Sequence, residues 1–198
     1  MSNKQILREW MKLDYTPQLV KESRDQNGGK IFLSGCIQKA ETLNQNKRIY
    51  PKRILQREVE NYQKAVRENR ALGECDHPES STVSLKNVSH VMREIWWDGD
   101  AVMGKLEVLA TPNGKILETL LDSNVTIGIS SRGVGSTSKN ESGADMVSDD
   151  FCIVAWDLVS EPSTPGAYLQ ISEGKEIGPT ALSRADRIFR ALNDIVLR

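Results

Sequence analysis

The sequence predicts an α+β fold built on a mostly antiparallel sheet. Apolar, β-branched runs recur along the chain without the regular strand–helix–strand alternation of a parallel sheet. Two of them, Leu85 to Trp97 and Ala101 to Leu109, flank Asp98-Gly99-Asp100, which reads as a hairpin turn. Between such runs lies one long amphipathic segment, residues 51–69, with the period of a helix.

In chain order, residues 1–29 are polar and end in the turn signal Asn27-Gly28-Gly29. Within them Ile6, Trp10 and Leu13 fall at helical spacing and predict a weak helical stripe. Lys30 to Ala40 carries Ile31, Leu33 and Ile37 among small residues and predicts a first strand, with a bulge at Gly35-Cys36. Asn44 to Lys47 is a polar loop, and Pro51 suits the first position of the long helix. In that helix Ile54, Leu55, Val59, Tyr62 and Val66 recur every three or four residues among Lys, Arg, Glu and Gln. Leu72-Gly73 closes it, and Gly73 to Ser84 reads as a loop.

After the hairpin, Thr111-Pro112-Asn113-Gly114 opens a short helix over 113–122, with Ile116, Leu117, Leu120 and Leu121 on one side. Val125 to Ser131 is a strand. Residues 133–148 are rich in Gly, Ser, Asn and Lys and predict a mobile surface loop. Phe151 to Val159 is an apolar buried strand with one carboxylate, Asp157, stopped by Pro162 to Pro165. Beyond Gln170 the chain turns polar. Ala181 to Leu197 then forms a basic amphipathic helix with Leu182, Ile188, Phe189 and Leu192. The total is about six strands and two or three helices, with no internal repeat. Three segments follow: a polar N-terminal piece, 1–29, a main domain, 30–170, and a tail, 171–198.

Charge is nearly balanced, at a formal net −1 over 198 residues, which gives no global footprint for nucleic acid or an anionic membrane surface. Apolar content of 38% with 6% aromatics implies polar appendages around a smaller core. No run has the ~18 apolar residues of a membrane span, and the charged N-terminus lacks a signal-peptide core, so the expected setting is cytosolic. Three scattered cysteines, Cys36, Cys75 and Cys152, fit reduced thiols.

Few residues are equipped for chemistry. His77 lies in Glu74-Cys75-Asp76-His77-Pro78-Glu79, where the proline holds the preceding backbone extended and a rigid loop can present the imidazole. An imidazole can take a proton from a hydroxyl and return it. The plainer reading is an exposed histidine beside acids. Ser130 and Ser131 end an apolar strand next to Arg132 and Gly133. A serine needs a base within reach and donors for an oxyanion. Backbone N–H groups at Gly133-Val134-Gly135, with Arg132, could supply the donors. The plainer reading is a strand end entering a Gly-Ser loop. Asp157 sits in an otherwise apolar strand, where a carboxylate is costly unless paired. Orienting an imidazole would pair it, as would a salt bridge. Cys75 and His77 lack a second ligand pair, which argues against zinc. The Gly-rich string after Arg132 lacks the lysine of a phosphate-binding loop.

Six strings occur in one order: Asn46-Lys47-Arg48-Ile49-Tyr50-Pro51, His77-Pro78, Val88-Ser89-His90-Val91, Thr111-Pro112-Asn113-Gly114-Lys115, Gly128-Ile129-Ser130-Ser131-Arg132-Gly133, and Asp157-Leu158-Val159 with Pro162-Ser163. Together they resemble the prohead core proteases of T-even-like tailed phages, over about residues 30–168. The resemblance implies an antiparallel β-barrel with surrounding helices, similar to the herpesvirus assemblins. It implies a serine endopeptidase that works inside the prohead, assembled in the host cytoplasm, on phage scaffold and capsid proteins and on itself. It requires no cofactor or metal and no nucleic-acid or membrane partner, and it leaves a homo-oligomer open.

Carried over by motif, His77 is the base and Ser131 the nucleophile, with Ser130 as fallback. Asp157 is the third member, with Asp150 in competition, and Arg132 with Gly133 serves the oxyanion. In the assemblins the third member is a histidine on a later strand, so His90 reads as structural. The family cuts after Glu in Leu/Ile-x-Glu-Gly/Ala strings. Ile171-Ser172-Glu173-Gly174 is such a string and implies self-cleavage between Glu173 and Gly174, releasing the C-terminal helix. The non-enzymatic alternative is an inactive scaffold or capsid-lining protein of the same fold.

Overall fold

The structure, a computed structural model, describes residues 5–13, 16–160 and 168–171. Eleven strands and three helices are found among them. The strands are β1 (Gln5–Leu13), β2 (Ile31–Lys39), β3 (Arg48–Ile49), β4 (Leu72–Glu74), β5 (Val88–Asp98), β6 (Ala101–Val108), β7 (Gly128–Gly135), β8 (Thr137–Lys139), β9 (Asp145–Val147), β10 (Cys152–Val159) and β11 (Tyr168–Ile171). The helices are α1 (Pro17–Gln26), α2 (Lys52–Arg67) and α3 (Pro112–Asp122).

Eight strands form one sheet in the order β10-β7-β1-β11-β2-β6-β5-β4, and β3-β9-β8 form a small second sheet. Neighbours in the large sheet are antiparallel except β1 and β11. The β5–β6 hairpin turns at Gly99, whose φ of 60° suits a residue without a side chain. The register of β2 against β6 slips between Cys36 and Gln38, next to the expected bulge.

The expected barrel is not closed. The two edge strands, β4 and β10, approach each other, but a single bridge between Cys75 and Leu158 joins them, supported by Asp76 N–H donating to the Leu158 carbonyl at 2.8 Å. The sheet curls around a core that includes Leu7, Leu33, Ile37, Leu55, Met92, Leu106, Phe151 and Trp156. Helix α2 lays Ile54, Leu55, Val59 and Tyr62 against it, as its periodicity foretold, with Ala65 buried beside them and the expected Val66 only partly buried. The Tyr62 and Trp156 rings meet edge to face with centroids 4.7 Å apart.

Helix α2 also guards an edge. Arg57 Nη2 donates to the Phe151 carbonyl at 2.8 Å, and Glu58 Oε2 accepts from Ile153 N–H at 3.1 Å. Two backbone groups at the start of β10 are thereby satisfied by side chains, which blunts this end of the strand as a template for pairing with another chain.

Three expectations are corrected. Residues 5–13 form a strand, not a helix, and because β1 lies between β7 and β11, residue 29 does not bound the domain. The segment 133–148 is not a loose loop. β7 runs on to Gly135, and β8 and β9 pair beyond it, with Val147 buried. Helix α1 was not foreseen, although Thr16-Pro17 is its start signal and Thr16 Oγ1 accepts from Leu19 N–H. The C-terminal helix, Pro162 to Pro165 and the Glu173-Gly174 pair lie outside the described residues.

Candidate active site

The site straddles the narrow seam between the two sheet edges. β7 and β10 pair so that Ser130 stands opposite Asp157 and Ser131 opposite Trp156. Side chains alternate along a strand, so Ser130 and Ser131 face opposite sides of the sheet. From the other edge comes His77, three residues beyond the end of β4.

His77 Nε2 lies 2.5 Å from Ser130 Oγ, and His77 Nδ1 lies 3.1 Å from Asp157 Oδ2. An ionised carboxylate only accepts, so Nδ1 carries the proton and donates to Asp157. Nε2 then presents its lone pair to the Ser130 hydroxyl. This orientation lets the ring receive the serine proton. Ser130 is 1% exposed and the His77 side chain 15%, so the imidazole is the wetter of the two.

Ser131, the expected nucleophile, is not part of this arrangement. It is completely buried, and its Oγ has no hydrogen-bond partner among the described residues. The fallback, Ser130, occupies the position facing His77. A signal for this was present in the sequence. Ser131 is in phase with Ile127 and Ile129, both core residues, whereas Ser130 is in phase with Gly128 and Arg132.

Asp157 is fully buried and takes four donors. Oδ2 accepts from His77 Nδ1 and from Arg132 Nε at 2.7 Å. Oδ1 accepts from Glu74 N–H and Arg132 Nη2, each at 3.1 Å. Burial pushes this carboxyl up, but His77 and Arg132 outweigh burial and hold it below the usual carboxylate range. Asp150, its competitor, is elsewhere. It accepts from the backbone N–H and hydroxyl of Ser136, each at 2.9 Å, beyond the end of β7.

Arg132 and Gly133 do not form an oxyanion site in this geometry. Arg132 is completely buried, and its donors are engaged. Nε and Nη2 bind Asp157, Nη2 also binds Glu74 Oε1 at 3.2 Å, and Nη1 binds the carbonyls of Ser80 at 2.7 Å and Thr82 at 3.3 Å. A guanidinium has five N–H groups, and five acceptors surround this one. Burial works against its charge, yet Asp157 and Glu74 make it more basic than usual. Gly133 sits inside the ladder, between Leu7 and Ile153, where a Cβ would lie 2.4 Å from Phe151 Cε2.

His90 takes the structural part expected of it. Its buried ring bonds Ser89 Oγ and the Trp156 carbonyl, each at 2.9 Å, and burial lowers its basicity. The residue that sequence reasoning missed is Glu74. Its carboxylate is buried at 1% exposure and also accepts from Ser84 N–H at 2.8 Å. Its place one strand-end before the Cys75-Asp76-His77 loop was the only hint.

Comparison with known proteins places this chain in one family. The prohead core protease of Enterobacteria phage T4 is 32% identical over 180 residues, spanning 88% of this chain and 84% of the T4 protein. The solved structure of the bacteriophage T4 capsid assembly protease, gp21, superposes with a TM-score of 0.69 at 26% identity, covering 81% of this chain and 99% of that one. Residues 12–178 match the family described as prohead core protein serine proteases, and this chain therefore belongs to that family.

Proposed function

We propose that this protein is a serine endopeptidase of phage prohead maturation, with Ser130 as nucleophile, His77 as general base and Asp157 as the group that orients the imidazole. The observation that carries this reading is the unbroken chain from Ser130 Oγ through His77 to Asp157, at 2.5 and 3.1 Å. His77 Nε2 takes the Ser130 proton as Oγ attacks the scissile carbonyl. The same nitrogen then protonates the leaving amine, and water repeats the sequence to release the acid. Asp157 fixes the tautomer and balances the imidazolium. Nothing in this sequence of steps requires a metal or cofactor.

The setting is the prohead interior, and the substrates are phage scaffold and capsid proteins. Family resemblance supports cleavage after Glu in Leu/Ile-x-Glu-Gly/Ala strings. The chain's own Ile171-Ser172-Glu173-Gly174 supports self-cleavage between Glu173 and Gly174. An inactive lining protein, by contrast, would have no need to keep a buried serine and a buried aspartate in line with a histidine.

The test compares wild type with Ser130→Ala and Ser131→Ala on an Ile-x-Glu-Gly peptide and on scaffold protein. Ser130→Ala should abolish cleavage, and Ser131→Ala should retain it. The reverse pattern would return the nucleophile to Ser131. Cleavage by neither variant nor the wild type would support the lining protein. Mass spectrometry of active enzyme should show a product ending at Glu173.

A further inference from the structure

Thirteen residues, 75–87, connect β4 to β5 without regular structure, and this connection carries His77. A loop of that length does not by itself hold an imidazole to within a few tenths of an ångström. Something else must fix it. Backbone bonds tie it at Asp76, whose N–H donates to the Leu158 carbonyl, and at Asn87, whose N–H donates to the Ser84 carbonyl, and Cys75 Sγ reaches the Asn113 carbonyl at 3.7 Å. The ties from the loop to Asp157 and to β7 run through two buried charges.

Arg132 reaches across from β7 and grips the loop beyond His77 through the Ser80 and Thr82 carbonyls. Its other two nitrogens hold both oxygens of Asp157. Glu74 closes the clamp from the last residue of β4. Oε1 receives Arg132 Nη2 and Ser84 N–H, and the Glu74 backbone N–H donates to Asp157 Oδ1. One guanidinium therefore spans the seam and touches both sides of the His77–Asp157 hydrogen bond. The engagement that leaves no donor for an oxyanion suits this role, because the planar fork points its five N–H groups in fixed directions.

We propose that Arg132, braced by Glu74, is the positioning residue that sets the His77 loop and Asp157 in register with Ser130. The proposal rests on the triad reading above. Lysine at this position would keep the charge and lose the fork, so it could not hold Asp157, Glu74 and two carbonyls together. Glutamine at position 74 would keep an acceptor for Ser84 and Arg132 but weaken the brace.

The experiment uses the full-length chain in three variants, Arg132→Lys, Glu74→Gln and Ser130→Ala. Each is measured for peptide cleavage and for the rate and amplitude of labelling by a fluorophosphonate, which reports serine reactivity without substrate binding. Arg132→Lys should lower kcat by about 10–100-fold with KM changed less than about threefold, and should slow labelling in parallel. Glu74→Gln should lower both by about 3–10-fold. The downfield proton resonance expected of the His77–Asp157 hydrogen bond should weaken in both. A purely structural Arg132 would reduce the labelling amplitude, the folded fraction, and leave the rate constant of folded molecules alone. That result would overturn the proposal. If Arg132→Lys does not fold, Glu74→Gln decides by the same rate constant. Persistent labelling of Ser130→Ala would sink the triad reading instead, whatever the other variants do.

Discussion

Replacing Asp157 with asparagine tests the site most severely, because it changes one oxygen to an NH2 and leaves the shape intact. In the native structure every lone pair that matters is used. Oδ2 faces His77 Nδ1 and Arg132 Nε, and Oδ1 faces Glu74 N–H and Arg132 Nη2. The amide can turn either way, and each way puts its NH2 against two donors. If the NH2 faces His77, the ring must take the other tautomer, with Nε2–H pointing at Ser130 Oγ and no lone pair to receive its proton. The expected loss in kcat is about 10³–10⁴, equivalent to about 4–5.5 kcal/mol of transition-state stabilisation. If the NH2 faces Glu74, two buried donors lose their acceptor at about 1–3 kcal/mol each. In either orientation Arg132 loses half of its counter-charge, so unfolding in urea should show a loss of about 3–5 kcal/mol. Both quantities come from one purified sample, by steady-state peptide cleavage and a denaturation curve. A variant with kcat within tenfold of wild type and an unchanged urea midpoint would refute both the triad and the buried-charge argument.

Three further outcomes follow from other parts of the structure. Asp157 is held below the usual carboxyl range in the fold, so its stabilising contribution is complete above the unfolded value and lost as pH falls through the folded one. The urea midpoint should therefore fall below about pH 4, and Asp157→Asn should flatten that part of the curve. Gly73→Ala would place a Cβ 2.2 Å from His90 Nε2 and 2.3 Å from the Trp156 carbonyl oxygen, two atoms that share a hydrogen bond. It should cost at least about 2–3 kcal/mol, and a Tm within about 2 °C of wild type would contradict that packing. Glu58→Ala strips the acceptor from Ile153 N–H and from Arg57 Nε. It should cost about 1–3 kcal/mol and speed hydrogen exchange at Ile153, with more aggregation on warming.

What could be read from the sequence was what is decided locally. Helix α2 announced itself through a face of Ile54, Leu55, Val59 and Tyr62, and α3 through Thr111, whose hydroxyl accepts from Gly114 N–H at 3.1 Å. The β5–β6 hairpin needed only its turn and its flanking runs. β1 was illegible for the opposite reason. Ile6, Trp10 and Leu13 fit a helix when counted alone, and only pairing with β7, more than a hundred residues away, makes them a strand. The sheet between Gly135 and Val147 depends in the same way on partners at β3. For the site, residue types identified His77 and Asp157 because each is unusual where it stands. Choosing between Ser130 and Ser131 needed the face of the strand, which the Ile127–Ile129 alternation held unused. Arg132 was misassigned because a positive charge beside a serine suggests an oxyanion, while its burial and its five acceptors exist only in three dimensions.

The single bridge between Cys75 and Leu158 has a consequence for how such an enzyme can be kept silent. His77 hangs from one lip of the sheet, and Ser130 and Asp157 from the other. Parting the lips would dismantle the reaction centre while the ladders of β7, β1, β2, β6 and β5 stay whole. Ser130 is nearly closed to solvent, so on the proposed triad a peptide would need this seam to open. Any such opening would have to break the buried Arg132–Glu74 and Glu74–Asp157 contacts that cross it, so access to the serine and loss of the clamp would be coupled.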